Sequence, residues 1–180
     1  MKLHELSPVP GSNPKAYRKA VALLAESEFI DIFGVENSLT PAMDLFTKLG
    51  YLGLTCRLNT DAYLQQIGAG HLPHGAVAVA FSHSGSSADT VKALRLAKSH
   101  GAKTIAITNA IGAPLASWAD VTLLTGRDSH TIYGNAIFSR VADTALVDML
   151  YMGVILSDYG RFSTALDESG RMIRDRVFEN

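Results

Sequence analysis

Residues 76–91 read AVAVAFSHSGSSADTV. The first six are a short apolar run bounded by Gly75 and the serines, which predicts a buried strand. Four serines and one glycine follow within residues 82–87. Beyond them, residues 87–99 place Val91, Leu94 and Ala97 on one helical stripe. Strand, small polar loop and amphipathic helix make the repeating unit of an α/β domain with a parallel sheet.

The same unit recurs in both directions along the chain. Further strands are predicted at 29–33 (FIDIF), 53–58 (GLTCRL), 103–108 (KTIAIT) and 120–124 (DVTLL). Helices are predicted at 15–27, 38–49, 60–68 and 135–157, with a last one near 163–177; in the second of these, Leu39, Ala42, Met43, Phe46 and Leu49 share a stripe. The expected fold class is therefore α/β, a doubly wound five-stranded parallel sheet flanked by helices as a three-layer sandwich. Residues 1–14, with Pro, Gly and Ser at 7–14, read as an N-terminal extension or linker, and 15–180 as one domain.

Composition narrows the function. The chain has 180 residues, 47% hydrophobic and 18% charged, which supplies a core and excludes intrinsic disorder. Sixteen basic against 17 acidic residues give a net charge of −1, with no Lys/Arg run, so no direct nucleic-acid binding by this chain is expected. No apolar stretch approaches the roughly 20 residues of a membrane span, and the richest one, 144–156, is interrupted by Asp148. The start MKLHELSPVPG lacks the apolar core of a secretory signal. A lone Cys56 forms no internal disulfide, which fits a reducing cytoplasm, and it reads as a core thiol.

In doubly wound sheets ligands sit at the carboxyl ends of strands where the strand order reverses, commonly between the first and third strands. That rule brings together residues 34–38 (GVENS) and 82–87 (SHSGSS). Hydroxyls and backbone N–H groups at helix N-termini hold anions, because dipole and orphan donors point the same way. Gly85 admits positive φ or close backbone approach. Alternatively, the serines cap the helices that follow. There is no Gly-Lys-Ser/Thr phosphate loop and no dinucleotide glycine fingerprint, so a nucleotide is disfavoured and a single terminal phosphate on a small metabolite fits best.

The segment Ser82–Ser87 resembles the Ser-x-Ser-Gly-x-Thr/Ser phosphate loop of sugar isomerase (SIS) domains. Residues 101–108 (GAKTIAIT), then 113–116 (APLA) and 119–120, are similar to that family's fourth strand and following turn. Residues 134–140 (GNAIFSR) running into 146–151 (LVDMLY) resemble effector domains of RpiR-type transcriptional regulators. The resemblance implies that Ser82, Ser84 and Ser87, with Gly85 in the turn, hold a sugar's phosphate and that Ser38 adds a donor. Glu36 departs from the small residue usual there and is either a solvated acid or a contact to sugar hydroxyls. His83 and His130 are further candidates beside the ligand. Such regulators carry a helix-turn-helix domain ahead of this one, so the resemblance implies an isolated effector domain or a stand-alone relative.

Neither metal nor cofactor is implied; His71 and His74 have no third ligand nearby in sequence. The alternative function is a sugar-phosphate aldose-ketose isomerase such as a hexulose-phosphate isomerase, which needs a positioned base. Relatives of that kind place a Glu near the start of the long C-terminal helix, where this chain has Phe138, Ser139, Arg140 and Val141. No catalytic residue is therefore assigned, and sensing is favoured. Arg140 and Asp143, three apart, read as a helix ion pair. The apolar circumference of 144–156 calls for a second surface, either helix 15–27 of the same chain with Val21, Leu23 and Leu24 or a second copy; the resemblance favours the second copy and implies a homodimer or higher homo-oligomer, the partners being a phosphosugar and that copy.

Overall fold

The computed structural model describes residues 13–126 and 140–174. Five parallel strands form one sheet: β1 (Ile30–Phe33), β2 (Cys56–Leu58), β3 (Val77–Phe81), β4 (Lys103–Thr108) and β5 (Val121–Leu124), in the order β2-β1-β3-β4-β5. The helices are α1 (Pro14–Glu26), α2 (Leu39–Tyr51), α3 (Ala62–Ala69), α4 (Ala88–Ser99), α5 (Val141–Ser157) and α6 (Tyr159–Met172). Among the described residues no helix is long and apolar enough to cross a membrane.

The strands are apolar on both faces because helices cover both. In β3 the alternation sorts side chains by size. Val77, Val79 and Phe81 join Ile30, Ile32, Ile105 and Ile107 in a core shared with α1, α2 and α5, while Ala78 and Ala80 face a second core with Ala93, Leu94 and Ala97 of α4. Small residues on that second face let α4 lie close to the sheet. Asp31 of β1 pairs in register with Arg57 of the edge strand β2, and their side chains form an ion pair with Nη2 2.6 Å from Oδ2. Burial pushes the Asp31 carboxyl above its ordinary value, and the Arg57 guanidinium pulls it back.

Three expected elements are corrected. The strand expected at 53–58 is only Cys56–Leu58, because the C-terminal turn of α2 consumes the preceding residues: Gly53 takes φ +72°, and Leu54 N donates to Leu49 O. The helix expected over 135–157 starts at Val141; Arg140 is its N-cap, whose carbonyl accepts from Thr144 N, and 135–139 lie outside the described residues. The final helix begins at Tyr159, four residues before the expected 163, because the Asp158 carboxylate accepts from Arg161 N and starts a new helix. The expected extension 1–14 lies almost wholly outside the described residues, with Asn13 capping α1 through Lys15 N.

The apolar circumference of α5 is covered largely within the chain. Leu146, Val147, Leu150, Val154 and Ile155 are buried, and α1, α2 and α6 all pack on this helix. At Gly153 a Cβ would lie 2.4 Å from Tyr17 Oη, which itself donates to Met149 O at 2.6 Å. Of the two covers that 144–156 admits, the one within the chain is present, supplied by α1 together with α2 and α6. Cys56 is half-buried against this core, and burial pushes its thiol up to about 12.

Candidate functional site

Strands β1 and β3 are neighbours, paired from Ile30↔Val77 to Phe33↔Ala80, with β2 on one side and β4 on the other. The strand order reverses there, so the loops leaving the two carboxyl ends converge. The walls they form enclose a cavity of about 640 Å³.

The first wall is residues 34–38. Gly34 is clamped by the buried Gln65 of α3: Gly34 N donates to Gln65 Oε1 at 3.2 Å, and Gln65 Nε2 donates to Gly34 O and Asn59 O, both at 2.7 Å. A side chain at Gly34 would meet Ser38 O at 3.0 Å. Glu36 has φ +51°, the one described non-glycine residue with positive φ. The small residue usual there in the resembling family has a physical counterpart, because an L side chain in this region costs about 1 to 2 kcal/mol. Glu36 nevertheless turns the chain into a single 3-10 turn, Glu36–Ser38, that leads into α2.

The second wall is residues 82–87, braced from β4 and the segment after it. Ser82 N donates to Ile107 O, Thr108 Oγ1 and Asn109 N donate to His83 O, and Leu115 N donates to Gly85 O. Gly85 has φ +63°, and a Cβ on it would sit 2.3 Å from Ala113 Cβ. Both reasons for glycine therefore act at this position.

The capping alternative is not what the hydroxyls do. Ser38 precedes α2 and Ser87 precedes α4, yet neither side chain makes a cap hydrogen bond. Ser87 Oγ instead accepts from Thr90 Oγ1 at 3.3 Å, and Ser84 Oγ accepts from Ser86 N at 3.3 Å. The first-turn amides of both helices thus lack a serine cap.

Glu36, Ser38, Ser82, His83, Ser84 and Ser87 all line the cavity. Gly85 shapes the loop without lining it, and His130 lies outside the described residues. His83 Nε2 lies 3.4 Å from Asn109 Nδ2. Burial, then the positive charge of Arg140, hold the His83 imidazole below its ordinary value, against a smaller opposing pull from Asp143, so the neutral ring is favoured.

Three contributors escaped the reading of the sequence. Gln65 is invisible to it because its role is to bond backbone far along the chain. Asp89 lines the cavity from the first turn of α4 and accepts from Gln66 Nε2 at 3.1 Å. Arg140 lines it from the start of α5. The expected Arg140–Asp143 helix pair is loose, with Nε 4.0 Å from Oδ2, beyond hydrogen-bond range. The available signal was the cap position of Arg140, obscured by the longer helix expected there.

Residues 23–153 match the SIS domain model. The chain belongs to the SIS domain family. An uncharacterized HTH-type transcriptional regulator of Caldanaerobacter subterraneus subsp. tengcongensis is 30% identical over 168 residues, 93% of this chain and 60% of that protein. The HTH-type transcriptional regulator RpiR of Escherichia coli K12 is 24% identical over 161 residues, 89% of this chain and 54% of that protein. This SIS chain thus spans about half the length of the curated relatives it matches. Among solved structures, the Vibrio vulnificus NanR protein complexed with ManNAc-6P superposes with a TM-score of 0.87 at 24% identity, covering 94% of this chain and 64% of that one.

Proposed function

We propose that this SIS domain senses a phosphosugar as the effector domain of an RpiR-type regulator of carbohydrate metabolism. The observation that carries the reading is the pair of serine-bearing loops facing one cavity, with the Ser38 and Ser87 hydroxyls not used as helix caps. In this reading Ser82, Ser84 and Ser87, with the α4 amides, hold the phosphate, and Ser38 adds a donor from the opposite wall. The homologous HTH-type regulators and the ManNAc-6P complex of NanR support it. Isothermal titration with phosphorylated sugars and their unphosphorylated counterparts tests it. Ser84→Ala or Ser87→Ala is expected to weaken binding by about 1.5 to 3 kcal/mol, as for hydrogen bonds to a charged group, and to leave folding intact. Equal affinity for a sugar with and without its phosphate refutes the anion site.

The second reading, an aldose-ketose isomerase, draws support from Glu36 and Asp89, two carboxylates lining the cavity. Against it stands the segment 138–141, which carries no carboxylate. Incubation with hexulose and pentose phosphates is expected to give no turnover, and ready conversion reverses the order of the two readings.

The proposal includes a homodimer or higher homo-oligomer. What supports it is an apolar groove of about 370 Å³ between α2 and α6, whose walls include Phe46, Tyr51, Ile173 and the 78% exposed Met172. Sedimentation at micromolar concentration measures it, and a monomer with and without bound sugar removes this part.

A further inference from the structure

A phosphate-binding cavity raises a question of charge. The ionisable side chains lining it are Glu36, Asp89, His83 and Arg140. Two are carboxylates, and the environment of His83 favours its neutral ring. A phosphate monoester brings about 1.5 to 2 negative charges at neutral pH, which hydroxyls and amides solvate without cancelling. Among the described lining residues, Arg140 is the only full positive charge to set against it.

The setting of Arg140 matches that role. Its side chain is 14% exposed, and among the described residues neither Nε nor Nη1 has a hydrogen-bond partner. Asp143 lies close enough to offset part of the charge and too far to accept a hydrogen bond. Buried guanidinium donors without acceptors are unfavourable, and their planar fork suits two oxygens of one anion. The main chain at Arg140 is anchored, because its carbonyl accepts from both Thr144 N and Thr144 Oγ1 at the start of α5. The fork is therefore presented on a fixed base.

We propose that Arg140 is a ligand-binding residue of this cavity, donating from its guanidinium to anionic oxygens of the bound phosphosugar and setting the preference for anionic over neutral sugars. The inference rests on the phosphosugar reading. The oxygens belong to the phosphate or to a carboxylate at the sugar end, and the choice of probes separates the two.

The test is isothermal titration of the wild type, Arg140→Gln, Arg140→Lys and Ser84→Ala with ManNAc-6P, 6-phosphogluconate and inorganic phosphate. Arg140→Gln is expected to bind the probes taken by the wild type at least tenfold more weakly and with a shallower salt dependence. Its melting temperature without ligand should stay within a few degrees of wild type. Arg140→Lys keeps a charge beside Asp143 and loses the fork, so a loss of threefold or more is expected even if the Gln variant does not fold. A loss shared by all phosphorylated probes assigns the contact to the phosphate; a loss confined to 6-phosphogluconate assigns it to the carboxylate. Wild-type affinity in the soluble Arg140 variants, alongside weakened binding in Ser84→Ala, overturns the inference and leaves the phosphosugar site standing. Failure of every probe to bind the wild type overturns both, and the wild-type titration alone identifies that case.

Discussion

The two loops that meet at the β1–β3 switch point are held in opposite ways. Residues 82–87 are braced by backbone, through the end of β4 and the segment that follows it, around a glycine for which no substitute fits. Residues 34–38 depend on one side chain, Gln65, and contain Glu36 in a strained conformation. Main-chain bracing survives most side-chain changes, whereas a side-chain clamp is lost with one substitution. The difference sets a rigid wall at 82–87 against a wall at 34–38 that is easier to vary.

The largest expected effect strikes the braced wall. Gly85→Ala forces a Cβ into Ala113 at a positive φ, and a loss of about 3 kcal/mol is expected from overpacking and strain together. Thermal denaturation measures it, and a wild-type melting temperature would mean that this wall yields easily. Gln65→Ala comes next. It leaves Gly34 N, Gly34 O and Asn59 O without their partner, and about 2 kcal/mol is expected, with urea denaturation as the measurement. If that variant also preserves ligand affinity, the clamp is structural only and the contrast between the walls concerns stability alone.

His83 sharpens the comparison through pH. Its folded-state value lies below the unfolded one, so on acidification the unfolded chain takes up the proton first. Its contribution is neutral above the unfolded value of about 6.5 and becomes destabilising as pH falls from there toward the folded value. His83→Gln should therefore lose less stability than wild type between pH 7.5 and 5.5 by urea denaturation; parallel losses would remove the effect. The smallest expected change is at Glu36. Glu36→Gly relieves positive-φ strain of about 1 to 2 kcal/mol against a backbone-entropy cost of about 0.5 to 1 kcal/mol, leaving a net gain of roughly 0.5 kcal/mol. A loss of stability on urea denaturation would mean that the carboxylate makes contacts worth more than the strain.

Much of this was legible in the sequence. Residues 76–81 and 103–108 announce buried strands by their apolar runs, and Ser82–Ser87 announces its loop by an excess of small donors. At other positions local chemistry competes with periodicity. Gly53 extended the C-terminal turn of α2 into an apolar run that looked like strand, and Asp158 opened a helix before any apolar stripe began. The choice between helix 15–27 and a second chain as the cover of α5 was likewise open, because circumference alone does not say which element lies against it.

The sequence by itself determined the alternation of strands and helices, the two polar loops and the need for glycine at 85, because periodicity, turn chemistry and small donors act over a few residues. Only the tertiary structure decided that Gln65 clamps Gly34, 31 positions away, and that α5 starts at the cavity, which Arg140 lines. It also decided that the Ser38 and Ser87 side chains do not cap the helices they precede. The reason is physical: a polar side chain's partners are set by which helix packs where, and that packing is driven by apolar surface on other residues, which carries no information about where a guanidinium or an amide will point.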